Sequence, residues 1–162
     1  LGLVYSTERD ERATLEEIEA LYPGLLDGLA GHEGVGFLMV RSREQGAVVS
    51  GDRGRYYLAG DRVEGENPLA GFGSNAAAHL RRTDSFADAP DVLVNSFYRA
   101  ENNEVAAFEE LIGSHGGMGG LQTQPFVLFP AEWEVDGGDL VGAAAVYQQF
   151  KSWLAQVQGD HR

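Results

Sequence analysis

Phe37-Leu38-Met39-Val40 is a continuous apolar run, and Val92-Leu93-Val94-Asn95-Ser96, entered after Pro90, opens on another. Short unbroken apolar runs of this kind read as strands buried in a core. The chain must therefore build layers that cover them. Helical patterns supply the cover. Thr14-Leu15-Glu16-Glu17 fits a capping box, in which the Thr oxygen and the Glu17 carboxylate satisfy free amides at a helix start. Leu15, Ile18, Leu21, Tyr22, Leu25, Leu26 and Leu29 then recur at helical spacing. Pro23-Gly24 interrupts them, which predicts two short helices meeting at a kink. Asn75 is placed to cap a short helix from Ala76 to Arg81. Residues 141–157 predict a closing helix with Val146, Phe150, Trp153 and Leu154 on its inner face. Helices alternating with short buried strands predict an α/β fold, a layered sheet with flanking helices.

The other elements are fainter. Leu1-Gly2-Leu3-Val4-Tyr5 reads like a strand whose beginning has been cut off. Ala47-Val48-Val49 and Tyr56-Tyr57-Leu58 flank a Ser50–Gly54 segment, a hairpin signal with a loop longer than two residues. Glu64–Gly73 reads as a loop and Phe126–Phe129 as a strand between two prolines. Val105–Ile112 is ambiguous: Val105–Phe108 fits a strand and Glu109–Ile112 a helical turn. No repeat or linker divides the chain, so residues 1–162 read as a single region.

Charge and cysteine content narrow the function. The chain holds 25 acids against 12 bases, a net charge of −13. Such a surface repels phosphate backbones and anionic lipid, which argues against nucleic-acid and membrane-surface binding. A small phosphorylated substrate stays open, because a metal ion inverts the local field. The absence of cysteine excludes a disulfide scaffold, a thiolate zinc site and a thiol nucleophile. No apolar run approaches the roughly 20 residues of a membrane span.

Several motifs fail on inspection. His32-Glu33-Gly34-Val35-Gly36 starts like a zincin helix but lacks the second His. Gly71-Phe72-Gly73-Ser74-Asn75-Ala76 mimics a dinucleotide fingerprint, with Asp91 further on, but no strand precedes it. His79-Leu80-Arg81-Arg82-Thr83 is the one compact basic cluster. It reads either as an oxyanion fork or, preferably, as a solvated helix end complementing the helix dipole. His32 and His161 read as surface residues. The most informative segment is Ser114-His115-Gly116-Gly117-Met118-Gly119-Gly120. Its glycines permit close backbone approach to an ion or substrate, and a neutral imidazole is the commonest metal ligand. Glu109 or Glu110 is near enough in sequence to orient the ring. The plainer reading is a glycine loop with an exposed His.

Three longer strings carry a resemblance. They are Gly34-Val35-Gly36-Phe37-Leu38-Met39-Val40-Arg41-Ser42, Asp61-Arg62-Val63-Glu64-Gly65-Glu66-Asn67-Pro68-Leu69, and the segment from Val105 to Phe129 with Ser114-His115-Gly116-Gly117 and Gln122-Thr123-Gln124-Pro125-Phe126. In this order they resemble the C-terminal part of bacterial proteins of the alkaline phosphatase superfamily, of the type I phosphodiesterase/nucleotide pyrophosphatase kind. The resemblance implies a metal-dependent phosphoric ester hydrolase with a two-metal site, usually zinc, acting on a phosphodiester or pyrophosphate. It implies that His115, a late His followed by Gly, is a metal ligand. The family's Thr or Ser nucleophile and its Asp-His-Gly ligand motif have no match here. The catalytic residues are therefore expected upstream, with this chain as the C-terminal fragment of a larger hydrolase domain, inactive alone. Any membrane attachment would come from upstream segments, and the resemblance leaves the protein's location open. The rival expectation is a non-catalytic acidic interaction or structural domain.

Overall fold

The computed structural model describes residues 1–110, 117–135 and 137–159. They gather into two compact units, Leu1–Pro125 and Phe126–Arg162. The first is built on six strands: β1 (Gly2–Val4), β2 (Val35–Ser42), β3 (Gly46–Gly51), β4 (Gly54–Tyr57), β5 (Arg62–Gly65) and β6 (Val92–Ser96). They stand in the order β1-β6-β2-β3-β4-β5, and every neighbouring pair is antiparallel.

The unbroken apolar run of β2 has a direct cause. Successive side chains point to opposite faces of a sheet. Phe37 and Met39 join Val49, Leu93, Phe72 and Leu80 in one core. Leu38 and Val40 join Ile18, Leu26, Val92 and Val94 in the other. Helices α1 (Leu15–Leu21) and α2 (Leu25–Ala30) cover the second core, and α3 (Ala76–Asp84) covers the first. The architecture is thus a mixed α/β sandwich with helices on both faces. Antiparallel sheets commonly leave one face wet; here the central strands β2 and β6 are buried on both. Each fully buried Phe, Leu or Met in β2 contributes about 1.5–3 kcal/mol by leaving water.

Local chemistry sets the helix ends. The Thr14 hydroxyl accepts from the Glu17 amide at 3.4 Å, and the Glu17 carboxylate accepts from the Thr14 amide at 2.9 Å. The expected capping box is present. The break at Pro23-Gly24 separates α1 from α2, with Gly24 at φ +77°.

Several expectations need correction. The β3–β4 turn is shorter than expected, because Gly51 pairs with Gly54 and only Asp52 and Arg53 intervene. The ladder runs on through polar Ser50 and Arg55, whose backbones pair regardless of hydropathy. Glu64 and Gly65 lie in β5, an exposed edge strand with no apolar signal to betray it. Asn75 precedes α3 but makes no side-chain cap hydrogen bond, and α3 continues to Asp84. The ambiguous segment resolves at its start: β8 (Glu104–Val105) pairs with β7 (Tyr98–Arg99).

In the second unit Phe126–Phe129 forms no strand. The two prolines that bound it lack amide donors, and no strand among the described residues pairs with it. Helix α4 (Gly142–Gly159) closes the chain. Trp153 is buried, and its indole donates to the Glu134 carbonyl at 2.7 Å. The rings of Phe129, Trp133 and Phe150 stand 4.8, 5.5 and 5.8 Å from it. Phe150 and Leu154 are half exposed rather than inward, while Gln149 is buried and donates to the Glu134 carbonyl at 3.2 Å. No helix among the described residues is long and apolar enough to cross a membrane.

Candidate functional site

His115 lies outside the described residues, as do Ser114 and Gly116. The described residues continue from Gly117, and there the anchorage is clear. Asn95, fully buried at the C-terminal end of β6, accepts from the Met118 amide at 2.8 Å. Its Nδ2 donates to the carbonyls of Met118 at 3.2 Å and Ser96 at 2.9 Å. The side-chain amide thus treats Met118 as a neighbouring strand would, giving and taking one bond. Gln122 adds a bond to the Met118 carbonyl at 3.2 Å. A Cβ at Gly117 would stand 3.3 Å from Asn95 Oδ1 and 3.7 Å from Ser96 Oγ. Gly119, at φ +112°, passes so close to Tyr98 that a Cβ would fall 2.6 Å from its Cβ atom. From Gly117 onward the glycine-rich segment is packed on the ends of β6 and β7.

In the sequence Asn95 stands only as part of a buried strand, Val92–Ser96. Its signal was the polar pair Asn95-Ser96 ending an apolar run. Buried polar groups almost always have partners, so such a pair points to a backbone it must hold.

The other singled-out residues fall elsewhere. Glu109 and Glu110 are exposed. Arg81 is engaged rather than open to a phosphate: its Nε donates to the Leu58 carbonyl at 2.8 Å, and its guanidinium pairs with Asp61. The Tyr56 hydroxyl also donates to Asp61. Tyr56 first, then Arg81, holds the Asp61 carboxyl below its usual range, and the same bond raises the Tyr56 phenol. The Arg82 guanidinium stands 5.2 Å from the Phe86 ring centre. His32 is exposed, with Nδ1 accepting from the Gly34 amide at 3.0 Å. His161 lies outside the described residues. In the dinucleotide-like segment Phe72 packs edge-on against Phe37, with centroids 4.9 Å apart. Asp91 is buried and accepts from the amides of Ser6 and Ala13, each at 2.5 Å. That is a backbone clamp, not a ribose acceptor.

A zinc ion needs three or four converging N, O or S ligands. Among the described residues no three His, Cys, Asp or Glu side chains gather closely enough to hold a metal. The described residues alone do not fit the metal centre that the resemblance implies. Comparison of the chain with protein-family models, curated proteins and solved structures finds no match in any of the three.

Proposed function

We propose that this chain is part of a metal-dependent phosphodiesterase or nucleotide pyrophosphatase-like hydrolase. In this reading His115 is one metal ligand, zinc being the favoured ion, and a small phosphodiester or pyrophosphate is the substrate. The nucleophile and the other ligands come from outside the described residues. The observation that supports the reading is the Asn95 clamp on Met118. A glycine-rich segment three residues beyond His115 is secured to the end of a central buried strand. Functional residues favour loops held in this way by a rigid scaffold.

The test uses the protein as its gene encodes it, with His115→Ala beside it. Zinc content and hydrolysis of bis(p-nitrophenyl) phosphate are measured on both. The reading expects bound zinc and a loss of activity beyond the roughly hundredfold that follows from losing an outer-sphere partner. Equal zinc content and equal hydrolysis in the two proteins overturn the ligand role. The acidic interaction domain is the second reading, favoured by the net charge of −13. It expects no zinc and no hydrolysis in either protein.

A further inference from the structure

Residues 117–124 pack on the ends of β6 and β7 but join neither sheet. Most of their hydrogen bonds are internal. The Gln122 side chain donates to the Met118 carbonyl at 3.2 Å, and the Thr123 hydroxyl to the Gly120 carbonyl at 2.7 Å. The Gln124 amide donates to the Leu121 carbonyl at 3.0 Å. Among the described residues, the hydrogen bonds that tie this segment to the rest of the fold both end on one side chain. The Met118 amide donates to Asn95 Oδ1 at 2.8 Å, and Asn95 Nδ2 donates to the Met118 carbonyl at 3.2 Å. Packing adds little. Met118 is partly buried against the first core, and Gly119 and Gly120 lie against Tyr98. The 3-10 turn Gly120–Thr123 holds no buried residue, and Leu121 is 69% exposed. Segments with few buried contacts open locally, with a free energy of their own, while the core stays closed. Opening here also returns freedom to Gly117, Gly119 and Gly120, and glycine loses more freedom on folding than any other residue.

We propose that residues 117–124 form a strap that opens from the sheet as one unit while the six strands stay folded, with the Asn95 side-chain amide as its latch. The internal bonds travel with the strap and do not resist its opening. The two latch bonds break together, because one carboxamide makes both. Opening admits water to Asn95 and Ser96, a polar pair that the closed strap helps to bury at the end of a central strand. The inference is independent of the hydrolase reading.

The test is native-state hydrogen exchange of the full chain, read by NMR at several urea concentrations below unfolding. The Met118 amide reports the strap, and the Met39 and Val49 amides report the sheet. Corrected for intrinsic rates, Met118 is expected to exchange at least about a hundredfold faster than the sheet amides. Its rate should barely rise with urea, because opening a strap exposes little surface. Asn95→Leu keeps the bulk of the side chain and deletes the latch. It should speed Met118 at least about tenfold more than it speeds Met39 and Val49. Gly120→Ala acts from the strap itself. Gly120 sits at φ +60°, and a Cβ there would fall 2.5 Å from Asn103 Oδ1, so the substitution disfavours the closed strap alone. It should speed Met118 about tenfold and leave Met39 and Val49 unchanged, and it serves if Asn95→Leu fails to fold. Exchange of Met118 with the rate and urea dependence of the sheet amides overturns the proposal. Equal acceleration of strap and sheet in the variants overturns the separate unit, and an unchanged Met118 rate in Asn95→Leu overturns the latch.

Discussion

Asp91 ties the irregular segment after β1 to the core. Ser6 and Ala13 lie outside helices and strands, so their amides have no ladder to join. The Asp91 carboxylate replaces that ladder. Beside it Arg12 donates to the Pro90 carbonyl at 2.7 Å and pairs with Asp84 at 2.5 Å. Asp91→Ala leaves two amides without their acceptor, and a loss of about 2–4 kcal/mol in urea unfolding is expected. A change below about 0.5 kcal/mol, the range of ordinary surface substitutions, would make the clamp dispensable. Glu17 supplies a pH signature. The Thr14 amide, then Arg9 and Arg43, lower its pKa from 4.5 to about 2. A carboxyl depressed in the folded state stabilises fully above its unfolded pKa, and the contribution disappears as pH falls through the folded value. The melting temperature should therefore fall as pH drops from 4.5 toward 2. Glu17→Gln should flatten that part of the curve, and an unchanged curve would show that Glu17 does not carry it.

Elements in this fold meet at points where a single atom matters. Strand β2 is irregular between Val35 and Phe37 in its pairing with β6. Gly36 sits at the irregularity, where a Cβ would fall 2.6 Å from Phe72 Cζ and 2.7 Å from the Ser96 carbonyl oxygen. Gly36→Ala must push apart β2, β6 and the Phe72 loop. A cost of about 1–3 kcal/mol is expected, as for other overpacked cores. Thermal or urea unfolding reads it directly, and a neutral result would mean that the Phe72 loop gives way freely. The Thr14 cap is a smaller device on the same scale. Thr14→Ala should cost about 1 kcal/mol, seen as a lower urea midpoint with an unchanged slope.

For the molecule as a whole, charge is the governing quantity. An excess of 13 acidic groups repels itself across the surface. Most of the ion pairs among the described residues join two exposed side chains, which contribute little individually. Screening should therefore relieve more repulsion than it costs in attraction. Raising sodium chloride from about 0.02 to 0.5 M, which shortens the Debye length severalfold, should raise the melting temperature. A fall on adding salt would show that the ion pairs outweigh the net charge.

What the sequence determined by itself is whatever depends on near neighbours. The capping box at Thr14 and the break at Pro23-Gly24 act within a turn or two of helix. The apolar runs of β2 and β6 needed burial wherever they went, which is why a layered α/β fold was legible. The candidate site was legible only as a motif around His115, because its glycines and imidazole are local features. Tertiary structure decided the rest. Asn95 grips Met118 across 23 residues, and Asp91 holds Ser6 across 85. β5 became a strand because β4 offered it a ladder, and Phe126–Phe129 did not because nothing among the described residues did. A hydrogen bond to a partner far along the chain imposes no period on the residues around it. Only folding brings such partners together.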